Sequence, residues 1–372
     1  MASKPCLILT DKTVHNLLID LKRDEIITFL NSIGSTLGSF SVGNERPHQP
    51  EPTTIVRNEG RKHLFRPFTS ASNVGIKIIV DPRKALASQS TKDQSGEERQ
   101  RLMGLHGIVA VCDINGFPNG FINAEELTGY RTTLSAMLLY VRRKETQNMV
   151  VFGAGKQALW HIRIALGLRG EEIEKITVVN RSMGRLDALV KQIKEENDER
   201  WKANVAFESV HSNDQEMLQS ALAEADVVFC TTPSNEILFP AGSLRKMGSC
   251  YISAIGSWSK DMIELDPELL KTAAGRDEEK GLVVVDDREE CRKNAGEIVQ
   301  SGLSEDKVVE VGEVLDLIEG SDSELRTKTV NCLECGLVVY KSVGVSLTDL
   351  AAGQALLDLA WKKNVGTVVA DF

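Results

Sequence analysis

No apolar run in this 372-residue chain approaches the roughly eighteen residues that a membrane-spanning helix needs. Nothing in it is therefore expected to cross a bilayer. The opening stretch MASKPCLILT lacks an apolar core long enough for a secretory signal. A basic excess is also missing: 44 Lys and Arg stand against 53 Asp and Glu, a formal charge of −9. That balance argues against nucleic acid or an anionic membrane surface as a main partner. Cysteine pairing is missing too. The seven cysteines, at 6, 112, 230, 250, 291, 332 and 335, are odd in number and scattered. Such usage suggests reduced thiols and a cytoplasmic setting. Cys332-Leu-Glu-Cys335 has no second pair and no nearby His, so no metal site is expected.

What is present is a soluble globular composition, 42% hydrophobic and 26% charged. The length allows two domains, or one domain with a large insertion. The stretch from Asn148 to Ser182 organises the rest. An apolar run, Met149 to Phe152, ends in Gly153-Ala154-Gly155-Lys156-Gln157-Ala158. A helical segment follows to about Leu168, and a second apolar run ends at Asn180-Arg181-Ser182. This is strand, glycine turn, helix and strand at the size of a dinucleotide-binding βαβ unit. Gly153 permits the tight exit from the strand, Gly155 lets the backbone approach a pyrophosphate, and Ala158 keeps the helix close to the sheet. Turns also collect glycine for purely structural reasons. The end of the second strand carries Asn180, Arg181 and Ser182, with Arg185 one turn on and no acid before Asp187. An acid there would favour NAD, whereas an arginine suits a 2′-phosphate. NADPH is the expected cofactor, with NADH as the alternative; Arg181 can equally be a solvated loop residue.

Before this unit, the pattern predicts a strand at Cys6–Leu9, a helix starting near Thr10 over the periodic segment Val14–Leu30, and a Pro-rich loop at 44–54. Strands are predicted at Thr54–Arg57, Lys62–Phe65, Val74–Val80 and Ile108–Cys112, with a long helix over Glu125–Arg143. Residues 82–103 are polar and read as a surface insertion. Lys77 stands in the middle of an apolar strand, and either points into a polar cavity or snorkels to the edge. Arg131 lies near a helix start, where a cation opposes the dipole unless an anion is close.

After the unit, strands at 205–207, 227–230, 249–255 and 282–285 alternate with helices, which argues for a parallel sheet covered on both faces. The turns at Thr231-Thr232-Pro233 and Ile255-Gly256-Ser257 follow two of these strands, at the edge where such sheets bind ligands. The tail reads as a strand over Thr329–Tyr340, a loop, and a closing helix over Ser346–Lys362, returning to the first domain.

Six blocks of the chain, in order, resemble the ornithine cyclodeaminase/mu-crystallin family: Val74-Gly-Ile-Lys77, Leu127-Thr-Gly-Tyr-Arg131-Thr132, the glycine turn, Ile255-Gly-Ser-Trp-Ser-Lys-Asp261-Met-Ile-Glu264, Ala295-Gly-Glu297-Ile and Lys341-Ser-Val-Gly344. The resemblance implies a Rossmann-type doubly wound parallel-sheet domain (131–324) inserted into a mixed α+β substrate-binding and dimerisation domain (1–130 and 325–372). It implies a homodimer acting on small imino or amino acids with a nicotinamide cofactor. Lys77 and Arg131 become the catalytic and carboxylate-binding pair. Thr232, Gly256, Lys341, Val343 and Gly344 become a lining for the nicotinamide.

Two departures from the family pattern matter. An arginine common in the family is replaced at Pro52, and Arg66 stands where the family often has Met. Either Arg66 takes over the lost carboxylate contact, or the substrate needs no such contact. Cyclodeaminases carry an aspartate just after the glycine at the Gly256 position, whereas this chain has Ser257-Trp258. An indole cannot manage the protons of deamination; Trp258 either walls the substrate pocket or packs in the core. The expected activity is reduction of cyclic ketimine carboxylates. The alternatives are an ornithine-type cyclodeaminase, an amino-acid or opine dehydrogenase, and a non-catalytic NADP-bound binding protein.

Overall fold

Lys22 interrupts the helix predicted over Val14–Leu30. Its backbone is extended, and its N–H donates to the Glu25 carboxylate 2.9 Å away, which starts a new helix. The computed structural model of the protein describes residues 5–82, 86, 104–244, 248–276 and 280–372; the expected insertion at 82–103 lies almost wholly outside them. In chain order come β1 (Cys6–Leu9), α1 (Asp11–Ile19), α2 (Arg23–Ser41), β2 (Thr53–Val56), β3 (Lys62–Thr69), β4 (Asn73–Asp81), β5 (His106–Asp113), β6 (Pro118–Asn123) and α3 (Ala124–Tyr140). Next are β7 (Asn148–Phe152), α4 (Lys156–Arg169), β8 (Lys175–Asn180), α5 (Met183–Glu196), β9 (Ala206–His211), α6 (Gln215–Glu224), β10 (Val227–Cys230) and β11 (Tyr251–Ala254). The rest are α7 (Pro267–Ala274), β12 (Gly281–Val285), α8 (Arg288–Asn294), α9 (Gly296–Ser301), β13 (Val309–Glu310), α10 (Val311–Glu319), α11 (Glu324–Cys335), β14 (Leu337–Lys341), α12 (Ser346–Lys363) and β15 (Thr367–Val369).

These elements form two compact units. The first contains Met1–Leu21, Asn44–Arg131 and Ser346–Phe372; the second contains Lys22–Gly43 and Thr132–Val345. The division therefore differs from the expected one: residues 22–43 and 325–345 belong to the second unit. Two local readings change with it. Residues 329–335 are helical, as part of α11, and the strand that follows joins the second unit's sheet.

The first unit is built on a seven-stranded sheet in the order β15-β1-β6-β5-β4-β3-β2. Strands β2 to β6 form an antiparallel meander, and β1 runs parallel to β6. Alternation decides its two faces. Leu64, Phe68, Ile79, Val109, Val111 and Ile122 are buried, and α12 packs against β3, β4 and β5. At Gly353 a Cβ would lie 3.4–3.7 Å from Ile122, Val111 and Val109, ordinary van der Waals contact, so α12 lies close on this face without needing glycine there. Each fully buried aliphatic side chain contributes about 1.5–3 kcal/mol relative to exposure. The opposite face stays open: Ile8, Val74 and Ile108 are 37%, 39% and 43% exposed.

The second unit holds an eight-stranded sheet in the order β13-β12-β14-β11-β10-β7-β8-β9, with every pair parallel. Strands β10, β11 and β14 are buried at every residue, as a sheet covered on both faces requires. From β7 the chain winds outward to β8 and β9, then returns to β10 on the other side of β7. The switch point lies between β7 and β10, where α/β sheets bind ligands.

Candidate active site

The second unit supplies a glycine turn at that switch point. Strand β7 ends at Phe152, and Gly153 takes φ +117°, where a Cβ would lie 2.6 Å from Thr231 Oγ1. Only glycine fits. Thr231 closes the other side, its N–H and hydroxyl both donating to Phe152 O at 3.0 and 2.7 Å. At Gly155 a Cβ would meet nothing among the described residues beyond its chain neighbours within 4 Å, so the space above it is open to them. Gly155 is also the N-cap of α4 and, having no side chain, makes no capping hydrogen bond to that helix. An open approach and an uncapped N-terminus of a 14-residue helix fit a pyrophosphate. Ala158 is fully buried, as its expected place against the sheet requires. Ala154, Lys156 and Gln157 complete the turn and the first helical residues.

The neighbouring strand ends bring the other expected cofactor residues to the same edge of the sheet. Asn180 ends β8, and its amide donates to Ser182 O at 3.1 Å; the side chains of Arg181, Ser182 and Arg185 are exposed. His211, at the end of β9, was not anticipated. Its Nδ1 accepts from Asn213 N at 3.2 Å, so Nε2 carries the proton and donates to Arg181 O at 3.0 Å. This bond fixes the backbone beneath the Arg181 side chain.

Between β10 and β11 the structure shows a brace that the sequence reading did not assign. Glu264, fully buried, accepts from Thr232 N at 2.8 Å, Gly256 N at 2.6 Å and Ser257 N at 3.0 Å. One carboxylate thus ties the turn after β10 to the turn after β11. Burial pushes Glu264 up to about 7, with Lys341 and the N–H donors pulling against it. Beside it, the Ser257 hydroxyl donates to Glu297 at 2.7 Å, and the Lys341 ammonium donates to Ser257 Oγ at 2.8 Å and pairs with Glu297 at 3.4 Å. Lys341 and Ser257 are both fully buried. Their side chains therefore brace the edge from within, where direct cofactor contact had been expected. Val343 N and Gly344 N donate to Asp286 at 3.2 and 2.7 Å, which holds the loop after β14. Pro233, Ile255 and Trp258 follow the ends of β10 and β11, and Trp258 is half-buried.

The first unit supplies a cluster of cations. Lys77 is 1% exposed, so it does not snorkel; its ammonium meets Asp349 Oδ2 at 2.5 Å. The other oxygen, Asp349 Oδ1, accepts from Arg131 Nε at 2.9 Å. Arg66 stands opposite Lys77 in the β3–β4 register. Arg131 lies two turns inside α3, which begins at Ala124, so the dipole argument does not apply to it. The anion it meets is Asp349. Burial first, then Arg131, pushes Lys77 down to about 7, with Asp349 pulling upward. Burial would raise the Asp349 carboxyl, but Arg131 and Lys77 outweigh it and hold it below the usual range. Asp349 had not been singled out. Its signal was phase: with Gly353, Leu356 and Ala360 it shares the apolar face of α12, where an acid needs a partner.

A doubly wound parallel sheet with a glycine turn at its switch point defines an α/β protein of Rossmann type. The chain belongs to the ornithine cyclodeaminase/mu-crystallin family, whose sequence model matches residues 73–364. It is 26% identical over 314 residues to a delta(1)-pyrroline-2-carboxylate reductase of Bacillus cereus, covering 81% of this chain and 86% of that one. An uncharacterized cyclodeaminase of Dictyostelium discoideum is 27% identical over 346 residues, covering 87% and 86%. Among solved structures, the delta(1)-pyrroline-2-carboxylate reductase of Thermococcus litoralis in complex with NADH and L-proline superposes with a TM-score of 0.72 at 18% identity, covering 98% and 100%.

Proposed function

We propose that this protein is an NAD(P)H-dependent reductase of imino acids, acting on cyclic ketimine carboxylates of the pyrroline- or piperideine-2-carboxylate type. The observation that carries this reading is the charge count around Asp349. Three cations, Arg66, Lys77 and Arg131, act on one buried carboxylate. A cluster of cations suits a small anion, and arginine binds a carboxylate with directional N–H donors. Arg131 and Lys77 take the substrate carboxylate, with Arg66 reaching from the neighbouring strand.

The open space at Gly155 and the uncapped α4 fit the cofactor pyrophosphate. When bound, the reduced nicotinamide supplies a hydride for the imine carbon. Arg181 and Ser182 at the end of β8 support NADPH, since no acid stands there to take a ribose 2′-hydroxyl. The brace of Glu264, Glu297 and Lys341 keeps the turns at this edge in place before the cofactor arrives.

Reduction is favoured over ammonia elimination because positions 257 and 258 hold no carboxylate, and the Ser257 hydroxyl is already committed to Glu297. The open apolar face of the first unit's sheet supports a homodimer, with that face covered by a second copy. The test is purified protein with NADPH or NADH and a panel of cyclic ketimines and amino acids, followed at the nicotinamide absorbance. Oxidation with a ketimine carboxylate is expected. Ammonia released from ornithine without net oxidation of cofactor would overturn the reading in favour of a cyclodeaminase. Silence across the panel would leave a binding protein.

A further inference from the structure

We propose that Asp349 is the positioning residue of the anion site: it seats Lys77 and Arg131 for the substrate carboxylate and keeps on Lys77 the proton that goes to the imine nitrogen. The inference rests on the reductase reading and adds to it a proton donor and the group that holds it.

The geometry is a fork. Asp349 gives one carboxylate oxygen to each cation, Oδ2 to Lys77 Nζ at 2.5 Å and Oδ1 to Arg131 Nε at 2.9 Å. Lys77 and Asp349 are buried to 1% and 0% exposure, so neither charge is screened by water. The fork joins β4, α3 and α12, three elements far apart in sequence. Asp349 lies in the first turn of α12, where the helix dipole favours a carboxylate. It therefore stays ionised between two cations, a role that a neutral side chain of the same shape cannot fill.

The groups facing Lys77 are Asp349 from α12, Arg131 from α3 and Arg66 from β3, while its register partner on β5 is Val109. Take away the carboxylate, and Lys77 is left among two guanidinium groups and an aliphatic strand. A buried lysine in that company sheds its proton. With Asp349 present, Lys77 remains an ammonium that gives the proton up readily, since burial and Arg131 hold it near neutrality.

When bound, the reduced nicotinamide would supply the hydride for the imine carbon and would itself be oxidised to NAD(P)+. The π pair of the C=N bond moves to nitrogen. An N–H bond of Lys77 breaks, and its proton goes to that nitrogen, giving the amino acid. Lys77, left neutral, regains a proton from water when the product leaves. Lys77 touches substrate and is catalytic, whereas Asp349 acts through it.

The experiment compares wild type with Asp349→Asn and Asp349→Glu, using pyrroline-2-carboxylate and NADPH across pH. For Asp349→Asn, kcat/KM should fall by about 100-fold or more, the scale of a lost general acid. Its alkaline limb should move down by about one pH unit or more, the effect of removing an adjacent opposite charge. Asp349→Glu should return the limb toward the wild-type position. NADPH affinity, read by protein fluorescence, should stay within about twofold in both variants, because the cofactor turn belongs to the other unit. An unmoved limb with kcat/KM within about threefold of wild type would overturn the inference and leave the reductase reading standing. If Asp349→Asn does not fold, Asp349→Glu decides: the limb of wild type with a changed KM supports the role, and an unchanged KM opposes it. Wild type that reduces no ketimine removes the reductase reading itself, and this inference with it.

Discussion

Arg66 and Lys77 stand directly across from each other on the antiparallel pair β3–β4, two cations sharing one face of the sheet. Like charges placed so are destabilising by a few tenths of a kcal/mol or more. On the proposed reading, the substrate carboxylate offsets this repulsion when it binds. Arg66→Ala should raise KM for a ketimine carboxylate by about 10-fold or more with little change in kcat, as loss of uniform binding does. The melting temperature should hold or rise. Steady-state kinetics and a thermal melt check both, and an unchanged KM would remove Arg66 from the site.

Lys77 predicts a particular pH dependence. Its ordinary value of 10.5 is pushed down to about 7 in the folded chain. The ammonium is therefore lost as pH rises through 7, and kcat/KM should decline there. A bound substrate carboxylate adds a second anion, so the corresponding limb in kcat should lie at higher pH. For stability the sign is opposite. Between 7 and 10.5 the unfolded chain binds this proton more tightly, so this group makes the fold more stable as pH rises across that window. Urea melts of wild type and Lys77→Met across the window read the difference.

The two glycines of the turn should respond differently. Gly153→Ala places a Cβ at φ +117° and 2.6 Å from Thr231 Oγ1, and should lower stability by about 1–3 kcal/mol. Gly155→Val places its Cβ where no atom of the described residues beyond its chain neighbours lies within 4 Å. Its melting temperature should barely change, while cofactor affinity falls by about 10-fold or more, about 1.4 kcal/mol. Calorimetry with NADPH and a thermal melt separate the two effects.

Arg181→Ala tests the cofactor preference. A lost charged contact to a phosphate is worth about 1.5–3 kcal/mol, so kcat/KM for NADPH should fall about 10- to 100-fold with that for NADH nearly unchanged. Equal losses with both cofactors would mean that Arg181 does not read the 2′-phosphate.

Glu264→Gln tests the brace. The amide NH₂ must face a main-chain N–H where an oxygen now accepts, at a cost of about 1–3 kcal/mol. A lower melting temperature together with weaker NADPH binding is expected. Normal cofactor affinity in a destabilised variant would limit Glu264 to stability alone.

Most of the second unit's sheet was legible because β7, β8, β10, β11 and β12 each carry an apolar run at regular spacing, whereas β13, two residues long, carries no such run. The glycine turn could be read from neighbours within a few residues, whereas the local argument for Arg131 failed because α3 begins two turns earlier, at Ala124. Lys77 was readable as a charge in an apolar strand. What could not be read were the partners. Asp349 lies 218 residues from Arg131 and looks like an ordinary acid near a helix start. Glu264 and Glu297 were visible as parts of family blocks, but their work is done across loops that only the fold brings together. Lys341 was likewise visible only through its family block; that its ammonium lies buried beside Glu297 is a product of the fold.

The N-terminal segment reads as a single helix because Val14–Leu30 keeps an apolar stripe through the break. The break rests on a backbone cap, Lys22 N to Glu25, that apolar periodicity does not register. The strand expected over Thr329–Tyr340 fails at Gly336, where α11 ends and β14 begins.

Strand β14 sits between β11 and β12, although it is the last of the eight to be synthesised. Until residue 341 leaves the ribosome, the nascent sheet is two pieces, a pair and a five-stranded block, each with a bare edge facing the missing strand. A polypeptide truncated after residue 324 would carry the glycine turn and every strand before it, yet aggregate through those edges. Expression of the cofactor half alone must therefore run through β14, and the chain commits to its Rossmann layer only near the end of translation.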